Sequence, residues 1–324
     1  MFVNIDDTYF VRKNIELNKV SNCLSFISNQ TSKEKSELIK AYNLSDLQNI
    51  RCPFNVDEKN VDIAIKSKFN QDYKFINFNK AKLFYEFNSN IKLFTNKINQ
   101  FHLERIEFFP RTYVSNNLIF QELAFGNLSR PEKLLNFDNS MLKNVAKVIQ
   151  VLSSIQHKSI NVINYLKDFK FSNDKDHLNN ELLKTFSLVI KKFSNKNISL
   201  TLTHGDFKIE HLYTFNNELE YVIDWENVGI RSIFFDLLNF FVPWFVKRSY
   251  DYFQLKNYIF KFIQNYNPNL LSYMSDKYDL YFSIFALERY IRLHNSRNIN
   301  FNMSLAYQRY NQLFLKISKD LVYV

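Results

Sequence analysis

The chain has 324 residues, 46% of them hydrophobic, and a formal net charge of +10 at neutral pH. That size and apolar content support a large buried core and exclude a small stapled module, since the two cysteines, Cys23 and Cys52, form no CxxC pair and no zinc-ligand pattern. The lysines are spread along the chain rather than gathered in a tract, which argues against a nucleic-acid groove, while the net charge favours an acidic substrate over a cationic one.

The amino-terminal stretch MFVNIDDTYFVRKN lacks the basic-then-apolar order of a secretory leader, so a cytoplasmic protein is expected. Residues 8–50 carry apolar positions in a polar background and predict one or two amphipathic helices. VDIAIKSK (61–68) and YKFINFN (73–79) alternate around a turn and predict an antiparallel hairpin. KAKLFYEFNSNIKLFTNKINQF (80–101) places Leu83, Phe84, Phe87, Ile91 and Phe94 at helical spacing, which predicts a helix containing Glu86. RTYVS and LIFQEL flank Asn-Asn and predict a second hairpin, after which Gly126 can act as a hinge.

From about residue 138 long helical patterns dominate, including SMLKNVAKVIQVLSSIQHKSI, NELLKTFSLVIKKFS and most of 250–324. The most apolar run, SIFFDLLNFFVPWFV, is interrupted by Asp236 and Pro243 and is too short for a hydrocarbon layer of ~30 Å. It reads as a buried helix, and no transmembrane segment is expected. Between these helices lies HLYTFNNELEYVIDWE, two apolar strands around an Asn-Asn turn. It joins the loop HGD to VIDWE, so Asp206 and Asp224 stand at the two ends of one hairpin and can converge. Paired carboxylates in this arrangement suit phosphoryl transfer, in which one orients the attacking hydroxyl and the other holds a divalent metal.

HGDFKIEH (204–211) and VIDWENVGIRSIFFDL resemble the aminoglycoside phosphotransferase and choline kinase group of the protein-kinase-like fold. The likeness runs from the hairpin at 61–79 to Asp236 and is densest over 202–236. It implies an α+β, two-lobed fold with a small mixed amino-terminal lobe (1–126, nucleotide-binding) and a larger, mostly helical carboxy-terminal lobe (127–324, catalysis and acceptor binding). It further implies Asp206 as catalytic base, Asp224 as metal ligand and Asp236 as a brace for the loop. LIFQEL, with Gln121, Glu122 and Leu123, and Gly126 resemble the hinge that receives adenine, and LSSIQH, ending at His157, looks like a helix common to the group.

Lys208 matches the lysine that protein kinases keep in their catalytic loop to offset charge on the moving phosphoryl group. His211 stands where the group usually carries a metal-binding Asn, and in this the sequence is similar to lipopolysaccharide core sugar kinases. His211 either ligates metal, favouring Mn2+ over Mg2+, or positions Asp206, or is hydrogen-bonded below the loop. His204 can serve as a base or support the loop backbone. Glu226 either holds an acceptor or faces solvent. A lysine on the amino-terminal sheet should contact the nucleotide phosphates and pair with a helix glutamate. Lys74 with Glu86 is the first choice, and Lys66, at the end of DIAIK, is the rival. No glycine precedes Gly126, so a glycine-rich phosphate loop is absent.

The resemblance therefore implies an enzyme that transfers the γ-phosphoryl group of ATP, with Mg2+ or Mn2+, to a hydroxyl of a small molecule or carbohydrate, with surface-glycan biosynthesis as one setting. The alternative is a weak or inactive kinase-fold protein that binds nucleotide or a partner. ATP against GTP, the acceptor and the oligomeric state stay open. Toward the carboxy terminus ALERYIRLHNSR gathers Glu288, Arg289, Arg292, His294 and Arg297. Arg289 and Arg292 share a helix face that can grip a carboxylate or phosphate, or simply pack against the last segment.

Overall fold

The protein is seen in a computed structural model that describes residues 2–5, 9–12, 49–50, 62–66, 73–77, 82–86, 91–115, 118–122, 127–128, 139–167, 187–188, 190–247, 251–274 and 277–295. The chain divides into two units, Met1–Leu128 with Leu212–Ile223, and Ser129–His211 with Asp224–Val324. The hairpin that links the two candidate aspartates thus counts with the amino-terminal residues. The hinge expected at Gly126 lies outside the described residues.

The first unit is built on an antiparallel sheet of eight strands: β1 (Phe2–Ile5), β2 (Tyr9–Arg12), β3 (Asn49–Ile50), β4 (Ile63–Lys66), β5 (Tyr73–Asn77), β6 (Lys82–Glu86), β7 (Thr112–Ser115) and β8 (Leu118–Glu122). Their order is β3-β1-β2-β4-β5-β6-β8-β7. Both expected hairpins form, β4 with β5 and β7 with β8. Ile63, Ala64, Phe75 and Ile76 are fully buried, the apolar burial that fixes the register of such a pair. Two expectations fail. Residues 9–12, assigned to an amphipathic helix, form a strand paired with β1 and β4, and 13–48 lie outside the described residues. The helix expected over 80–101 is only α1 (Ile91–Phe101), because Lys82–Glu86 is a strand between β5 and β8. A short run as dense in aromatic and apolar residues as KLFYE satisfies either period, and two flanking strands with open backbone groups decide in favour of the sheet.

A second, small sheet in this unit pairs β9 (Asn127–Leu128), β12 (Leu212–Phe215) and β13 (Glu218–Val222) in the order β13-β12-β9. Its turn residues Asn216 and Asn217 have φ of 50° and 67°, the left-handed pair that a two-residue hairpin turn requires and that Asn tolerates.

The second unit packs helices around a sheet of β10 (Gln156–Asn161), β11 (Asn197–Thr203) and β14 (Gly229–Ser232). Helix α2 (Asn139–Ser154) was expected to run on through His157. Past its end the chain is taken by the sheet: Thr201 of β11 donates to the Leu152 carbonyl and, at 3.1 Å, to the Ile155 carbonyl, and 156–161 pair with β11, while Ser153 and Ser154 donate to the carbonyls of Gln150 and Val151. His157 falls instead in β10, at an irregularity in the pairing with β11. After α3 (Val162–Leu166), the apolar run forms α4 (Phe235–Lys247), buried nearly all round as expected. Helices α5 (Tyr252–Tyr266), α6 (Leu271–Met274) and α7 (Tyr278–Asn295) complete the described core. Helix α5 starts at a reciprocal cap between Asp251 and Gln254. Among the described residues no helix is long and apolar enough to cross a membrane.

A buried polar cluster ties this unit together. Arg231 on β14 donates from Nε to Glu288 Oε1 on α7 at 3.0 Å and from Nη1 to Thr203 Oγ1 at 2.7 Å. Thr203 Oγ1 in turn donates to the Gly229 carbonyl at 2.8 Å, and the Tyr165 hydroxyl donates to Glu288 Oε2 at 3.0 Å. Burial first, and then the Glu288 charge, hold the Tyr165 hydroxyl well above its ordinary pKa, so it stays a donor. Removing one charge leaves the other buried and uncompensated: Arg231→Met is expected to cost about 3–5 kcal/mol in urea unfolding. Arg231→Met with Glu288→Gln should be more stable than Arg231→Met alone, and equal stability of the two would show that the pair is not a closed unit.

Candidate active site

The loop after β11 is shaped by hydrogen bonds to helix α4. Asp236, in the first turn of α4 and 3% exposed, accepts from the backbone N–H of His204 at 2.6 Å and of Gly205 at 2.9 Å. Asn239 donates to the Phe207 carbonyl at 3.0 Å, and Phe240 packs its ring 5.4 Å from that of Phe207. Asp236, Asn239 and Phe240 recur at the spacing that puts side chains on one helix face, so a single face of α4 grips the loop at three points. Burial pushes the Asp236 carboxyl pKa up, against the lowering effects of His204, the two N–H donors and Arg231.

Gly205 has φ +83°, and a Cβ there would stand 2.1 Å from the Asn227 carbonyl oxygen. Only glycine fits where two backbones approach so closely. The segment it touches is the one that carries Asp224. That residue sits in the left-handed region (φ 70°, ψ 48°) and opens a single turn, Trp225–Asn227. Trp225, 1% exposed, lies with its ring 4.7 Å from that of His204. Asp206 and Asp224 are therefore brought together by contacts between their own loops.

His204 is fully buried, and its Nδ1 accepts from the Asp206 N–H at 3.3 Å. His211 closes the single turn Ile209–His211 and places Nε2 3.3 Å from Asp224 Oδ2. Its Nδ1 is enclosed and makes no hydrogen bond of normal geometry among the described residues, although the Asp206 carbonyl is near enough to favour the charged imidazole. Burial dominates and lowers the His211 pKa from its ordinary value, opposed by Asp224 and reinforced by Lys208. Asp206, His211 and Asp224 each offer a ligand atom, all within 4.8 Å of one another. Two ligands on opposite sides of a small octahedral cation are roughly 4.2 Å apart, so His211 and Asp224, 3.3 Å apart, can hold one divalent ion with Asp206 beside it. Lys208 is paired directly with Asp206 Oδ2, and Arg289 on α7 brings Nη2 to 3.7 Å from Asp206 Oδ1. Each oxygen of Asp206 thus faces a cation.

The loop residues expected at the site, His204, Asp206, Lys208, His211 and Asp224, are all present in one cluster, while Glu226 is exposed. The expected nucleotide residues belong to the amino-terminal unit. Glu86 is not on a helix but ends β6, and the register sets Lys66 opposite Tyr73 and Tyr73 opposite Glu86, with Lys74 opposite Ile65 and Tyr85. The helix glutamate of the expected pair is thereby lost. Gln121, on β8, is buried and donates to Thr112 Oγ1 at 3.0 Å; Glu122 ends the same strand, and Leu123 lies outside the described residues. Arg292 and His294 are on α7, and Arg297 lies beyond the described residues. Sequence reasoning missed Asn239, Thr203 and Arg231. The first was recoverable from its helical spacing to Asp236; the other two carry no local signal.

No protein-family model matches the chain, and no curated protein matches it in sequence. Solved structures do match. The GDP and kanamycin complex of APH(2″)-IIIa aligns with 82% of this chain and 95% of its own at TM-score 0.50 and 11% identity. The chain therefore shares the fold of that phosphotransferase. Choline kinase LicA from Streptococcus pneumoniae aligns over 78% of this chain and 92% of its own (TM-score 0.49, 15% identity), and amicoumacin kinase hAmiN over 82% and 89% (TM-score 0.49, 11% identity).

The lowered His211 pKa has a measurable consequence for the metal-free protein. The unfolded chain takes up a proton at this histidine near pH 6.5, the folded chain only at lower pH. Between those two values the unfolded state binds more protons, so this group's contribution to stability falls as pH drops below about 6.5 and is flat above it. With EDTA present, the stability difference between wild type and His211→Asn should change with pH only below that point. A pH-independent difference would mean that the imidazole is not desolvated.

Proposed function

We propose that this protein is a metal-dependent kinase that transfers the γ-phosphoryl group of ATP to a hydroxyl on a small molecule or sugar. The observation that carries the reading is the convergence of Asp206, His211 and Asp224 within 4.8 Å, with Lys208 paired to Asp206. Asp224 and His211 would hold Mg2+ or Mn2+, which when bound supplies charge neutralisation to the nucleotide phosphates. Asp206 accepts the proton of the acceptor hydroxyl as that oxygen bonds to the γ-phosphorus and the bond from phosphorus to the ADP oxygen breaks. Lys208, reaching from the same loop, offsets charge on the moving phosphoryl group. His204, enclosed beneath the loop and hydrogen-bonded to the Asp206 N–H, acts by positioning Asp206. Lys74 and Lys66 of the amino-terminal sheet are the candidates for the nucleotide phosphates, and Gln121 and Glu122 at the end of β8 those for the base.

These roles separate in two variants. Asp224→Asn should abolish metal-dependent ATP binding in calorimetry while the fold persists. Asp206→Ala should retain that binding and lose roughly 10²–10⁴-fold in turnover, read first as slow ATP hydrolysis. Equal losses of binding and turnover in Asp206→Ala would remove it as the base.

The histidine sets a metal preference. A nitrogen donor suits Mn2+ better than Mg2+, so His211→Asn should retain activity and shift the Mn2+/Mg2+ rate ratio toward Mg2+. An unchanged ratio with reduced turnover would make His211 a support for Asp206 instead of a ligand.

A further inference from the structure

We infer that Arg289 makes this site selective for acceptors that carry an anionic group, a carboxylate or a phosphate, close to the hydroxyl that is phosphorylated; the inference rests on the kinase reading above. Arg289 Nη2 lies 3.7 Å from Asp206 Oδ1, and the arginine side chain is 16% exposed. That separation is too long for a hydrogen bond of normal geometry and marks an ion pair. A hydroxyl activated by Asp206 must come within roughly 3 Å of one of its oxygens. Oδ2 is already engaged by Lys208, so the acceptor approaches a carboxylate whose other oxygen is flanked by the Arg289 guanidinium, and the atoms next to its hydroxyl fall within that cation's reach.

The guanidinium is held in place from behind. The preceding residue, Glu288, is 2% exposed and fixed by Arg231 and by Tyr165, each at 3.0 Å, so the turn of α7 that presents Arg289 is anchored to β14 and α3. A planar, permanently charged fork on an immobilised helix turn matches the paired oxygens of a carboxylate or phosphate. It opposes an ammonium at the same place. The arrangement predicts discrimination against amino-substituted acceptors, as the spread positive charge of the chain also does.

The test uses the intact protein with ATP and Mn2+ or Mg2+, and measures ADP release with glucose, glucuronate, glucose 6-phosphate and glucosamine, and with glycerol, glycerate and glycerol 3-phosphate. These sets keep the hydroxyl scaffold and change the neighbouring charge. An anionic member should exceed its neutral counterpart by roughly 10- to 100-fold in kcat/KM, the range of a hydrogen-bonded charge pair, and glucosamine should be the poorest of its set. The carboxylate and phosphate members separate the two sources of anion. Arg289→Gln should bring the anionic-to-neutral ratio close to one, and Arg289→Lys should retain a preference. The inference is overturned if neutral or cationic acceptors are preferred, if no anionic member is turned over, or if Arg289→Gln lowers kcat/KM equally for all acceptors, since the arginine would then serve Asp206 alone. Failure of the kinase reading is distinct: wild type would bind no ATP with either metal in calorimetry.

Discussion

The loop after β11 depends on one buried carboxylate. A backbone that turns sharply after a strand leaves N–H groups without sheet partners, and burying them unpaired costs on the order of 1–3 kcal/mol each. Asp236 takes two of them, from His204 and Gly205, one on each oxygen. Its place in the first turn of a helix adds the favourable end of the helix dipole. These interactions offset the desolvation that pushes its pKa up, and they hold the residues immediately before Asp206 in a single conformation. Gly205 then supplies the left-handed backbone that lets the neighbouring segment, and with it Asp224, come close.

Around this point the unit uses charge as an assembly constraint. The Arg231–Glu288 pair is almost wholly buried, where an ion pair contributes little net stability compared with an apolar substitute. What it does specify is registry. Arg231 reaches Thr203, the last residue of β11, and Glu288 belongs to α7. Strand, loop and helix α7 are therefore locked to one another one residue before the chain enters the HGD loop and one residue before Arg289.

The sequence made the chemistry legible where residues act locally. Asp206, Lys208, His211 and Asp224 lie at the ends of one hairpin, and the Asn216-Asn217 turn announces that hairpin by its own backbone preference. Arg289 was visible only as a helix charge, because its meaning depends on a contact with a loop far away in sequence. The failures share a physical cause. KLFYE is as apolar as a helix face and as aromatic as a strand, and only its neighbours β5 and β8 decide between them. Likewise the periodic pattern of α2 continues past Ser154, yet pairing with β11 claims the residues that follow.

The chain leaves the second unit after His211 and re-enters it at Asp224, lending the intervening hairpin to the first. Neither unit is therefore a continuous stretch of polypeptide, and no single cut yields either one whole. Truncation from either end removes part of one unit and still leaves the other dependent on an excursion through it. During synthesis the first unit stays incomplete until Ile223 has been made. Because Leu212 and Val222 stand opposite each other in the paired strands, the ends of the excursion are already close together. A short turn in place of residues 212–223 is thus the natural splice for anyone wishing to produce the second unit as a separate fragment, at little cost in loop-closure entropy.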